Sequence, residues 1–127
     1  MTAASRAMTQ LANWPDLVEV RPSCGTGRAL RSAWAEIAHF HSERSADLHL
    51  TAGKIRRFEN DLRGSSAIRL VPHSHWVTLC LECDADVDLL LTLTSVALQA
   101  HQGWPVSGNV PPARCNDQHG GRVREFR

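Results

Sequence analysis

Apolar residues recur along this chain at two spacings, and the switches between them mark its elements. Ala3, Ala4, Ala7, Met8 and Leu11 lie three and four positions apart, the period of one helix face. Thr2 stands at the cap position, and Trp14-Pro15 ends the pattern. Leu17, Val18 and Val20 suggest a short strand within Asp16 to Arg21. The stretch Pro22-Ser23-Cys24-Gly25-Thr26-Gly27 reads as a turn. No helix pattern follows its glycines, so a phosphate-binding loop is not expected. A second strand is expected over Ala29 to Trp34, and EIAHFHSERSADLHLT (Glu36 to Thr51) then alternates with period two in both halves.

After Leu50 the period lengthens. Thr51 is the expected cap of a helix with Ile55, Phe58 and Leu62 on one face and Lys54, Arg56, Arg57, Asn60 and Asp61 in water, stopped by Gly64. Strands are expected over Ala67 to Val71 and Trp76 to Glu82. Asp84, Asp86 and Asp88 crowd the start of a last helix, where the helix dipole favours negative charge. From Val87 to His101 its one polar stripe is Asp88, Thr92, Ser95 and Gln99, so nearly all of its girth is expected to be covered. From Gly103 the periodicity disappears and three of the six prolines follow. The expected fold class is α+β, an antiparallel sheet with helices packed on one face. One domain is expected over 1–102, its motif-bearing part over 36–101, with 103–127 a loosely ordered tail.

Composition narrows the functional classes. At 127 residues, 43% hydrophobic and 21% charged, the chain is long enough to bury a core without staples. A net charge of +1 gives no electrostatic case for nucleic acid or a membrane surface as partner. No window nears the ~20 apolar residues of a membrane span, and the first residues lack a secretory pattern. A cytoplasmic location is the expectation, with Cys24, Cys80, Cys83 and Cys115 as reduced thiols. Cys80 and Cys83 form C-x-x-C, but inside a strand pattern rather than the tight turn of a zinc site. The DADVD run lacks the glycine and closing glutamate of a calcium loop.

The candidate chemistry lies in the alternating stretch. Ala38, Phe40, Leu48 and Leu50 belong under the helices, which sends His39, His41, Asp47 and His49 to the opposite face. A hairpin turning at Glu43-Arg44-Ser45 sets His41 opposite Asp47 and His39 opposite His49, with directly opposed Cβ atoms ~5 Å apart. Imidazoles exchange protons at cellular pH, and a carboxylate beside one holds its tautomer and keeps it basic. Three histidines and an aspartate are also a ligand set for zinc or iron, a reading ranked behind the others; no metal and no cofactor are expected. A polar, solvent-facing sheet surface is the plain alternative.

The same stretch resembles the luciferase-domain family, named for fungal luciferases, whose members carry Glu-Ile-x-His-x-His, a short turn and Leu-His-Leu leading into a helix. Glu36, Ile37, His39, His41, Leu48, His49 and Leu50 match, and the likeness continues more weakly to His101. The resemblance implies oxidation of a hydroxypyrone by molecular oxygen without flavin or metal, through base-assisted formation of a substrate anion. Carried over, it makes His39, His41 and His49 the candidates for base and oxyanion stabiliser; Asp47 joins them only through the strand register. Family members commonly have Trp-Gly and His-Pro-Leu segments where this chain reads GSSAIRLVPHSHW, so light emission is not expected. The resulting expectation is an enzyme acting on a small acidic or aromatic molecule, with Glu36 and Trp76 touching the substrate. A binding or interaction module is the alternative, and a homodimer packed through Val87 to His101 is one expected form.

Overall fold

The computed structural model describes residues 2–102 and 115–116. The loose tail expected from residue 103 onward lies otherwise outside them. In chain order the elements are α1 (Ala3–Ala12), β1 (Val18–Val20), β2 (Arg28–Arg31), β3 (Glu36–Phe40), β4 (Ser45–Leu48), α2 (Ala52–Arg57), α3 (Glu59–Arg63), β5 (Ile68–Leu70), β6 (Val77–Cys80) and α4 (Asp84–His101). The strands form one antiparallel sheet in the order β1-β2-β3-β4-β6-β5, as the α+β expectation requires. Among the described residues no helix is long and apolar enough to cross a membrane.

Two neighbouring rows of side chains explain the architecture. One runs across the strands as Leu30, Ala38, Leu48, Val77 and Leu70. Its first four members are fully buried in the core shared with Ala4, Ala7, Met8 and Leu11 of α1 and Val87, Leu90, Leu93 and Ala97 of α4. The next row runs Val20, Ala29, His39, Asp47, Thr78 and Arg69. Successive strand residues face opposite ways, so this second row looks away from the helices. The pleat therefore separates hydrocarbon from chemistry.

The hairpin register corrects the expectation. His39 pairs with Asp47 and Ala38 with Leu48, where the sequence reading set His39 against His49 and His41 against Asp47. The turn is centred one residue earlier. Ser42 Oγ accepts the Arg44 amide at 3.1 Å and contacts Ser45 Oγ at 3.2 Å, a serine turn that closes before Ser45, which already pairs with Cys80. Moving the turn by one residue shifts the pairing by two, and an even shift leaves every side chain on its face.

The helices match the expected periods, with two refinements. The middle helix bends at Phe58 (φ −106°, ψ 17°) into α2 and α3, while Phe58 and Leu62 both reach the core. Thr51 caps α2 from a left-handed backbone (φ 81°), rare for a β-branched residue. Its amide donates to the His75 carbonyl at 2.9 Å, which holds the chain as it leaves the sheet. On α4, Asp88, Thr92, Ser95 and Gln99 are exposed as expected, but Leu89, Leu91, Val96 and Leu98 are only half-buried. The sheet and α1 cover less of this helix than its composition suggested.

The β1–β2 loop folds back over the far face. Gly27 has φ +81°, and a Cβ built there would lie 2.3 Å from the Phe40 carbonyl oxygen. Gly25 has φ +87° but open space around it. Gly27→Ala is therefore expected to cost roughly 1–3 kcal/mol, adding displacement of the loop to backbone strain, and Gly25→Ala about 1 kcal/mol. Chemical denaturation of the two variants checks this; equal losses would show that the close approach at Gly27 carries no energy.

At its other end α4 is clamped through His101, whose Nε2–H donates to the His49 carbonyl at 3.1 Å. The two rings lie 4.3 Å apart and both are buried. Burial pushes the His49 pKa down to about 3, helped by His101, His75 and His39, against one hydrogen bond to the Glu36 backbone. Burial likewise lowers His101, outweighing its hydrogen bond to the His49 backbone. An unfolded histidine takes a proton near pH ~6.5. Below that pH the unfolded chain binds protons that the folded chain refuses, so stability is full above ~6.5 and falls towards pH ~3, by at most about 1.4 kcal/mol per unit for each histidine. Urea midpoints at pH ~7 and ~5 should show this loss, and His49→Gln should shrink the difference. An unchanged difference would place the acid sensitivity elsewhere.

Candidate functional site

The alternation of β3 and β4 brings His39, His41 and Asp47 together on the face away from the helices, and the Glu36 carboxylate reaches them. His39 is 1% exposed; its Nε2–H donates to Glu36 Oε1 at 2.6 Å. The same carboxylate oxygen accepts the Ser23 amide at 3.0 Å. Glu36 thus ties an imidazole to the loop that carries Cys24. His41 places Nδ1 3.8 Å from Asp47 Oδ2, too far for a direct hydrogen bond. Asp47 is held in turn by the Thr78 hydroxyl, which donates to Oδ1 at 2.7 Å. Burial lowers the His39 pKa, opposed by Glu36; desolvation wins, and the ring is neutral at pH 7.

The far nitrogens of these rings meet two thiols. Cys24 Sγ lies 3.7 Å from His39 Nδ1 and 3.0 Å from His41 Nε2. Cys115 Sγ lies 3.8 Å from His41 Nε2. Cys115 is brought in by its neighbour: Asn116 Nδ2 donates to the Trp76 carbonyl and to Thr78 Oγ1, both at 3.0 Å, and Asn116 Oδ1 accepts from the Ser74 hydroxyl. One donor atom from each of Cys24, His39, His41 and Cys115 lies within 4.8 Å of every other. Soft thiolates with imidazoles suit zinc and its neighbours among the transition metals.

Placed against the sequence expectations, the site changes in membership. Glu36, His39, His41 and Asp47 converge. His49 shares their face but turns to Trp76, on which it stacks at 4.6 Å and 11°, and donates Nδ1–H to the Glu36 carbonyl at 3.3 Å. Trp76 also touches His39, at 4.6 Å, and is 2% exposed, so it is a wedge between rings. The face is buried, not the washed polar surface of the plain alternative. Cys24 and Cys115 were missed as members. Their residue types were the available signal, but 15 positions separate Cys24 from His39 and 74 separate Cys115 from His41, and no local spacing marks such a group. The C-x-x-C drew notice instead: Cys80 closes β6, and Cys83 leads α4, its amide donating to Asp86 Oδ2 at 3.3 Å.

Comparison with known proteins bears on this geometry in one respect. No curated protein and no solved structure matches the chain. A family model described as Luciferase domain matches residues 34–97, just over half of the 127 residues, from the approach to β3 into α4. That span carries both histidine–carboxylate pairs, and the chain belongs to the luciferase-domain family.

Proposed function

We propose that this luciferase-domain protein is a cytoplasmic, base-dependent enzyme of oxygenase-like type that forms the anion of a small acidic, aromatic molecule at the buried histidines. The observation that carries the reading is the pair of imidazoles backed by carboxylates, Glu36 behind His39 and Asp47 beside His41, with their far nitrogens turned to one place. A carboxylate behind an imidazole fixes its tautomer and raises the basicity of the opposite nitrogen. His41 also lines an open groove of about 740 Å³ with Ser5 and Met8 of α1 and with Gly27, Phe40 and Glu43. In the step proposed, the substrate proton moves to imidazole nitrogen and the electron pair stays on the substrate. Glu36 and Asp47 act as positioning residues.

A second reading, a docking module, is favoured by one observation. Val18 and Trp34 are exposed and line a groove of about 810 Å³ with Trp14 and Leu98 of α4, away from the histidines.

A thermal-shift screen of small acidic aromatics, hydroxypyrones included, tests the first reading. Binders should raise the melting temperature of wild type and lose that effect in His39→Ala and His41→Ala. His49→Ala, whose ring is spent on Trp76 and the Glu36 carbonyl, should keep most of it. No stabilising compound, or one indifferent to His39 and His41, would leave the docking module.

A further inference from the structure

We infer that Cys24, His39, His41 and Cys115 form a four-coordinate site for a divalent transition-metal ion of the zinc class. The inference rests on the proposed function only where it bears on the substrate; the ion itself is measured without one.

Distances come first. Zinc lies about 2.3 Å from cysteine sulfur and about 2.0–2.1 Å from histidine nitrogen, so a tetrahedral site sets sulfur and nitrogen about 3.6 Å apart. Cys24 to His39 Nδ1 is 3.7 Å, Cys24 to His41 Nε2 is 3.0 Å and Cys115 to His41 Nε2 is 3.8 Å. These three separations bracket that value, and all four donor atoms lie within 4.8 Å of one another.

The surroundings point the same way. An imidazole that binds a metal usually gives its other nitrogen to a carboxylate, carbonyl or water, which fixes the tautomer that leaves the ligand lone pair free. Here His39 offers Nδ1 and gives Nε2–H to Glu36; His41 offers Nε2 and turns Nδ1 to Asp47. Two thiolates balance the charge of a dication, so the loaded group is neutral where His39 and Cys115 have almost no contact with water. Each thiol is delivered by a separate device, Cys24 by the loop that Glu36 and Gly27 hold down, Cys115 by the Asn116 hydrogen bonds. Packing alone asks for none of this convergence.

A bound ion changes what the imidazoles do. Lone pairs that hold a metal take no proton, so His39 and His41 serve as bases only in protein free of the ion.

The experiment uses full-length protein without a histidine tag, purified under reducing conditions. Elemental analysis is expected to find about one zinc-class ion per chain, lost in Cys24→Ser, His41→Ala and Cys115→Ser and kept in a Cys80→Ser/Cys83→Ser double variant. Cobalt(II) added to the stripped wild type should give a thiolate-to-cobalt charge-transfer band with the visible spectrum of a tetrahedral centre, an outcome that decides the matter even where a variant fails to fold. Folded wild type that binds neither zinc nor cobalt overturns the inference. So does metal that follows Cys80 and Cys83, or a Cys24–Cys115 disulfide revealed as two missing thiols in protein isolated without reductant. Ligand-induced melting shifts in metal-free protein alongside any of these would leave the enzyme reading standing; an ion without such shifts would leave only the metal site.

Discussion

The pleat of β3 and β4 is the constraint on which both core and site depend. Ala38 and Leu48 face the helices because their neighbours His39 and Asp47 face away, and neither arrangement exists without the other. Slipping one strand by a single residue would drive an imidazole and a carboxylate under α4 and lift Leu48 out of the core. Burying an unpaired carboxylate costs several kcal/mol, while a side chain such as leucine loses about 1.5–3 kcal/mol of burial. Both penalties have the same sign, so the register is set by the core and the site inherits its precision. The six-stranded ladder spreads this constraint, since Leu30 and Val77 extend the apolar row while Ala29 and Thr78 extend the other.

On the far face, one carboxylate does for the loop what the helices do for the core. Glu36 Oε1 accepts from the Ser23 amide and from His39 Nε2 together. The position of Cys24 is thereby coupled to the tautomer of His39. Gly27 makes the coupling geometrically available, because any side chain there meets the Phe40 backbone. Glu36 opens the strand that carries His39, and His41 directly follows its last residue, Phe40, so one short run of chain supplies two imidazoles and the group that orients one of them.

Much of this was legible in the sequence, and the reason differs by element. Ala3 to Leu11 and the acidic start of α4 announce helices because capping and period are local. The shared face of His39, His41, Asp47 and His49 was legible because parity survives any even error in register; the pairing itself was not, since it depends on where Ser42 starts the turn. The division of labour within that face also escaped notice. Trp76 comes from β6's leading edge and takes His49 for itself, and nothing local to either residue records that meeting. The thiols were hidden for the same reason. Cys24 and Cys115 acquire meaning only through long-range closure, the first across a loop and the second across most of the chain.

A polar row buried on one side of a sheet needs an electrostatic explanation. Its imidazoles meet that need by staying neutral: burial depresses His39 and His49, and each spends a ring N–H on an acceptor, the Glu36 side chain for one and the Glu36 carbonyl for the other. Among the described residues no buried side-chain nitrogen or oxygen lacks a hydrogen-bond partner. The remaining negative charges, Glu36 and Asp47, stand behind the rings, so polarisation runs from each carboxylate through an imidazole towards the thiols. That direction enriches the inner nitrogens in electron density. An electron-rich pocket lined by two imidazoles and two sulfurs is suited to a positive guest, whether a proton passing from a substrate or an ion held at the centre.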